Sequence, residues 1–224
     1  MTKSNLSQRI QQDIKNTCIA LTKEKAFIDI KYVDFKENKI ASFTESHFIK
    51  NRKDYITQFK KIIEEKEHLA ILKDGSLITV FYRFDQQGEL QEASLAYYPN
   101  PNLAMSSHNF PEEIESHVNK EDYLSNYLRL DFNFNEKSEV FHPCTHVHIG
   151  LLSSFRIATD NFPFFSDFVE FILFLNYSEE WKSIYLNKHS SLSEYISKRS
   201  KSIYQLVKNG NLTPVELMYR YFKF

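Results

Sequence analysis

Three of the eight histidines fall within seven residues, in the run His142-Pro143-Cys144-Thr145-His146-Val147-His148. Side chains alternate between faces along a β-strand, so a strand here points His146 and His148 one way and Val147 and Ile149 the other, into a core. Extension carried backwards adds Cys144 and His142 to the histidine face, although Pro143 makes that continuation less regular. Arg129 and Asp131 precede the run at the same alternating spacing, and Arg156 follows it. If two strands form a hairpin, all of these arrive on one side.

Such a group has two chemical uses. Neutral imidazoles and a carboxylate bind zinc or another divalent transition metal, with His142, His146 and His148 as the metal ligands in that reading. Without any metal or cofactor, imidazoles titrating near neutrality serve as general base and acid, and arginine stabilises a developing phosphorane or oxyanion. His146 and His148 then exchange protons, Arg129 and Arg156 hold a phosphate, and Asp131 orients an imidazole. His142 completes that catalytic set. A ribonuclease using the RNA 2′-hydroxyl as nucleophile needs this second arrangement. The plainer alternative makes each histidine a hydrogen-bonded structural residue. Three on one face strain it, because each buried imidazole must be desolvated and partnered.

Elements able to position these residues are readable around them. Leu6, Ile10, Ile14, Cys18 and Leu21 recur at helical spacing over residues 5–22, and a second helical period runs from Glu45 to Glu67. Between them, Phe27 to Val33 suggests a short strand. Leu69–Lys73, Leu77–Phe84 and Leu90–Tyr98 form a predicted three-stranded meander. Asp74-Gly75 in its first turn signals a two-residue type I′ hairpin. After a proline-bracketed loop and a short acidic helix near Glu112–His117, Tyr127–Phe134 and Val140–Ile149 read as strands, with Phe155–Thr159 a third. Pro163 opens an apolar helix, Phe164–Tyr177, in its first turn, and Trp181 seals its end. Ser191–Lys208 and a segment opened by Thr213-Pro214 are further helices. The fold class is therefore α+β, an antiparallel sheet flanked by N-terminal and C-terminal helices. One domain over 1–224 is expected, its C-terminal helical part starting near 163.

Composition narrows the function classes. Hydrophobic residues make up 42% and charged residues 25%, which supports a packed core rather than disorder. The formal net charge of −1 gives the whole molecule no pull toward a polyanion. Its distribution is uneven. Residues 111–180 carry 13 acidic against 4 basic side chains, a net of −9, and residues 181–224 carry 8 basic against 2 acidic, a net of +6. The basic tail is a candidate footprint for nucleic acid. Cys18 and Cys144 alone make no disulfide framework, which fits the cytoplasm. No signal-peptide core or membrane span is expected. The four glycines avoid phosphate-binding fingerprints. Arg83 and Asp85 share a strand face and read as a surface ion pair. His47, His68, His108, His117 and His189 read as surface residues, and Phe162, Phe164, Phe165, Phe168, Phe171 and Phe174 as packing.

The pattern Arg129-x-Asp131, His142-Pro143-x-x-His146-x-His148-x-Gly150, Arg156, then Pro163 and an apolar helix ending near Trp181 resembles a bacterial family of uncharacterised proteins, domain of unknown function 2290. The resemblance covers residues 127–182 and, more loosely, the whole chain. It supports a site at these residues and carries no established activity. A second resemblance is to small toxins of toxin–antitoxin pairs, which place an Arg-x-Asp strand before a histidine-rich one. It implies RNA cleavage in host conflict or phage defence, although this chain is longer and its centre is acidic. The leading expectation is thus a cytoplasmic toxin or phage-defence effector with a metal-independent, ribonuclease-like site acting on RNA. The alternatives are a non-enzymatic adaptor for a protein partner encoded nearby, or a histidine-ligated metalloprotein.

Overall fold

The computed structural model describes residues 6–23, 27–31, 33, 35–43, 52–101, 127–134, 145–150, 156–158, 162–177 and 179–182. The first helix, α1 (Leu6–Lys23), buries Ile10, Ile14, Cys18 and Leu21, the stripe its spacing predicts. Strand β1 (Phe27–Ile30) follows, then β2 (Phe35–Lys36) and β3 (Lys39–Ala41). Next come α2 (Arg52–Glu64), β4 (Ala70–Leu72), β5 (Leu77–Phe84) and β6 (Leu90–Tyr98). Three further strands, β7 (Leu128–Asn133), β8 (Thr145–Ile149) and β9 (Arg156–Ala158), precede α3 (Phe165–Asn176). The expected acidic helix near Glu112–His117 and the expected helices after 190 lie outside the described residues. Among those described, no helix is long and apolar enough to cross a membrane.

All strand pairs are antiparallel, in the order β1-β4-β5-β6-β7-β8-β9. Strand β3 joins the same edge of β5 as β4, pairing with its far end. The predicted meander is therefore β4-β5-β6, and a second meander, β7-β8-β9, extends it. Alternation gives the sheet two unlike faces. One carries Ile78, Val80, Tyr82, Leu95, Tyr97, Leu128, Leu130 and Val147, which pack with α1 and α3 into the main core. The other carries Leu77, Ala96, Tyr98 and Tyr127, which form a smaller cluster with Tyr55, Phe59 and Ile62 of α2. Beyond that cluster the second face turns polar. Ile149 departs from expectation: its side chain is 43% exposed at the end of β8, whereas Val147 is fully buried.

Turn chemistry corrects one expectation. Asp74-Gly75 does not form a type I′ turn, because Gly75 takes positive φ (82°) and Asp74 does not. Gly75 N–H donates to the Leu72 carbonyl and Leu72 N–H to that of Ser76, which makes a three-residue loop. A Cβ at Gly75 would stand 2.6 Å from the Asn100 amide nitrogen, so glycine serves both torsion and space. The two-residue turn with both φ values positive lies instead at Glu37-Asn38, between β2 and β3. The Arg83–Asp85 ion pair is also corrected. Arg83 donates to Glu92 Oε2, its cross-strand partner, at 2.8 and 3.0 Å. Asp85 Oδ1 accepts the Gln87 and Glu89 N–H groups and shapes the turn. His68 is no surface residue: it is 3% exposed, with Nε2 3.3 Å from Asp29 Oδ2.

Helix α3 starts two residues after Pro163, later than expected. Its N-cap, Phe164, has no side-chain acceptor for the helix's unpaired N–H groups. The Phe164 N–H reaches Asp167 Oδ2 at 3.1 Å, and the missing acceptor comes from α1. Asp13 Oδ2 accepts the Ser166 N–H at 3.0 Å, and Oδ1 accepts the Ser166 hydroxyl at 2.5 Å. This buried contact joins the two helices that cover the main core. Beyond the helix end, Trp181 packs edge-on against Phe174. Replacing Asp13 with alanine strands two buried donors and should cost about 3 kcal/mol in urea unfolding. A loss within error would show that the contact is dispensable.

The Cys18 thiol is pushed up to about 12, first by burial and then by the Asp13 carboxylate. The folded chain keeps this proton where the unfolded chain releases it, so the stability it lends is complete below about 9 and disappears as pH rises toward 12. In a Cys144→Ser variant at about pH 8.5, iodoacetamide should leave native Cys18 unmodified and label it rapidly in urea. Rapid labelling of the native protein would contradict the packing of α1.

Candidate functional site

Strands β7 and β8 bring the predicted residues together by register. Arg129 pairs with His148 and Asp131 with His146, so the four side chains occupy adjacent positions on the polar face. The intervening Leu128, Leu130 and Val147 anchor both strands to the opposite core. The site thus rests on the middle of a sheet rather than on a loop.

The contacts centre on one carboxylate. Arg129 Nε donates to Asp131 Oδ2 at 2.8 Å, and Ser94 Oγ, across on β6, donates to Oδ1 at 2.8 Å. His148 Nε2 lies 3.3 Å and His146 Nε2 3.9 Å from the same Oδ2. The two imidazole rings meet edge to face with centroids 4.8 Å apart. His146 and His148 are 6% and 8% exposed, while Asp131 and Arg129 keep more contact with solvent. His148 Nε2 is buried close to the carboxylate and makes no well-aligned hydrogen bond among the described residues.

Electrostatics keep the central pair charged. Burial by itself would raise the Asp131 pKa, but the contact with His148, the Arg129 charge and the Ser94 hydroxyl together hold it below the ordinary carboxylate range. For Arg129, burial opposes the charge. The nearby Tyr127 and Asp131 oxygens outweigh it and raise the pKa further. Behind Arg129, a hydrogen-bonded row runs through Tyr127 and Tyr98 to Thr79. Burial raises the pKa of both tyrosines, which keeps this row neutral. A fixed guanidinium beside two imidazoles and a carboxylate can bind an anion, move protons, or hold a cation.

Four of the six predicted residues, Arg129, Asp131, His146 and His148, converge. The backbone of Arg156 pairs with that of His148 on β9, one strand further out. His142 lies outside the described residues, as does Cys144. In the metal reading, the carboxylate of Asp131 stands with His146 and His148, a ligand set that the histidine run alone did not contain. Ser94, Tyr98 and Tyr127 were missed. Ser94 meets Asp131 only through β6–β7 pairing across 37 residues, and no local signal announces that. The two tyrosines were legible only as ends of the predicted strands Leu90–Tyr98 and Tyr127–Phe134.

Removing the Asp131 carboxylate with alanine breaks the 2.8 Å ion pair with Arg129 in a largely buried setting. We expect a loss of about 3 kcal/mol in denaturant unfolding. Ser94→Ala, which removes one hydrogen bond, should cost about 1 kcal/mol. Equal, negligible losses from both would mean that the carboxylate is not the hub of this cluster.

Comparison with known proteins adds ancestry without chemistry. No curated protein and no solved structure matches the chain. One family model, described as Uncharacterized conserved protein (DUF2290), matches residues 13–210, a span holding both meanders and every residue of the site. With nearly its whole length matched, the chain belongs to the DUF2290 family of uncharacterised conserved proteins.

Proposed function

We propose that this protein is a hydrolase-like effector of the toxin or phage-defence kind, working in the cytoplasm and cleaving phosphodiester bonds, with RNA as its substrate class. The observation carrying this reading is the meeting of two imidazoles and a carboxylate beside a guanidinium on one strand pair. In the proposed reaction, Arg129 holds non-bridging phosphate oxygens, where its fixed charge stabilises the extra negative charge of the transition state. The His146–Asp131–His148 group takes the proton from the attacking oxygen as that oxygen bonds to phosphorus. The P–O bond to the leaving oxygen breaks, and that oxygen takes up the proton held by the same group. Arg156, one strand further out, is proposed as a second phosphate contact.

Further support comes from the packing. Leu130 and Val147 lock β7 and β8 to the main core, and Tyr127 and Tyr98 brace Arg129 from behind. Such support limits reorientation of the charged groups during reaction. The charge of the 181–224 segment, a net of +6, suits a polyanionic substrate.

The test is cleavage of total RNA by untagged protein, alongside a His146→Ala/His148→Ala double variant and Arg129→Gln. Wild type should cleave. The double variant should lose at least about 100-fold in rate while still unfolding cooperatively, and Arg129→Gln should lose a similar factor. Cleavage unchanged in the double variant, or no cleavage by wild type, would overturn the proposal.

A further inference from the structure

We propose that Asp131 Oδ2, His146 Nε2 and His148 Nε2 form the binding site for one divalent transition-metal ion of the zinc class. This inference rests on the hydrolytic reading for its purpose and deepens it by naming the site's cofactor. An ion bound there takes as ligands the two Nε2 atoms, which lie 3.9 and 3.3 Å from the same carboxylate oxygen, and it acidifies the attacking oxygen whose proton this group receives.

The first argument is donor type and spacing. Two imidazole nitrogens and a carboxylate oxygen form a set suited to a borderline ion such as zinc, where three protein ligands leave coordination for water or substrate. The three atoms lie within 4.8 Å of one another. Ligands around a tetrahedral zinc stand about 3.4 Å apart, from bond lengths near 2.1 Å. His148 Nε2 and Asp131 Oδ2 are at that separation already, at 3.3 Å, His146 Nε2 stands 3.9 Å from the same oxygen, and the widest gap in the set, 4.8 Å, closes by about 1.4 Å when an ion binds.

The second argument is independent of spacing. His148 Nε2 is buried beside Asp131 Oδ2, 3.3 Å away, and makes no well-aligned hydrogen bond among the described residues. Buried polar atoms seldom go without a well-made contact, because their desolvation is then uncompensated.

A third argument is the outer layer. Metal-binding carboxylates are themselves held by hydrogen bonds that fix their direction. Arg129 Nε and Ser94 Oγ each hold one oxygen of Asp131, at 2.8 Å. The chemistry such an ion supplies is activation of water for attack on phosphorus, which the hydrolytic reading requires.

The experiment uses the untagged full chain, stripped with chelator and titrated with Zn²⁺ and with Co²⁺ as a coloured substitute. We expect about one equivalent of each, with Co²⁺ giving visible bands of a low-symmetry site containing nitrogen ligands. His146→Ala, His148→Ala and Asp131→Asn, each checked for folding by circular dichroism, should bind at least about 100-fold more weakly, and Ser94→Ala about 10-fold. Substoichiometric binding by wild type, or undiminished binding in both histidine variants, would overturn the site. Its fate and that of the hydrolytic reading separate cleanly. Full RNA cleavage by metal-free protein in chelator sinks the metal site alone. One bound ion, lost in the ligand variants, with no cleavage of RNA leaves the metal site standing and removes the hydrolase.

Discussion

The antiparallel register of β7 against β8 is the constraint on which the rest depends. It sets Arg129 opposite His148 and Asp131 opposite His146, and it simultaneously turns Leu128, Leu130 and Val147 into the main core. A slip of one residue on either strand would reverse both assignments. It would bring the charged cluster into the apolar layer and expose Leu or Val side chains whose burial is each worth about 2 kcal/mol. The hydrophobic layer therefore holds the polar cluster in register from behind.

Because one face of the sheet carries the core and the other the site, the helices divide their work. α1 and α3 close the apolar face and are joined by Asp13, which supplies from one helix the acceptor that Phe164 cannot supply at the start of the other. α2 covers only part of the second face, through Tyr55, Phe59 and Ile62. The polar residues lie on the remainder, braced by the row from Thr79 to Arg129. Family membership covers this whole arrangement, while the chemistry has to be argued from the groups themselves.

The carboxylate of Asp131 links packing to chemistry. Its two oxygens collect contacts from three strands: Ser94 on β6, Arg129 on its own strand, and the two histidines on β8. Beside a guanidinium, a hydroxyl donor and an imidazole this carboxylate stays ionised, and Arg129 and Ser94 fix its direction. Those are the properties a metal ligand or an orienting carboxylate needs.

What the chain itself determined is local. The period of α1, the two meanders, and the alternation that puts His146 with His148 and Arg129 with Asp131 on common sides all follow from spacing within single elements. The terminal helices around an antiparallel sheet followed as well. What tertiary structure decided is which elements meet. Ser94 reaches Asp131 and Asp13 reaches Ser166 over separations of 37 and 153 residues, and His68, which reads as a surface residue, is buried. Turn type escaped too, since Asp-Gly accommodates more than one loop length and the strands it joins choose between them. Periodicity tells a side chain which face it takes. Only the pairing of distant strands and helices, selected by burial of the whole apolar layer, tells it what stands opposite.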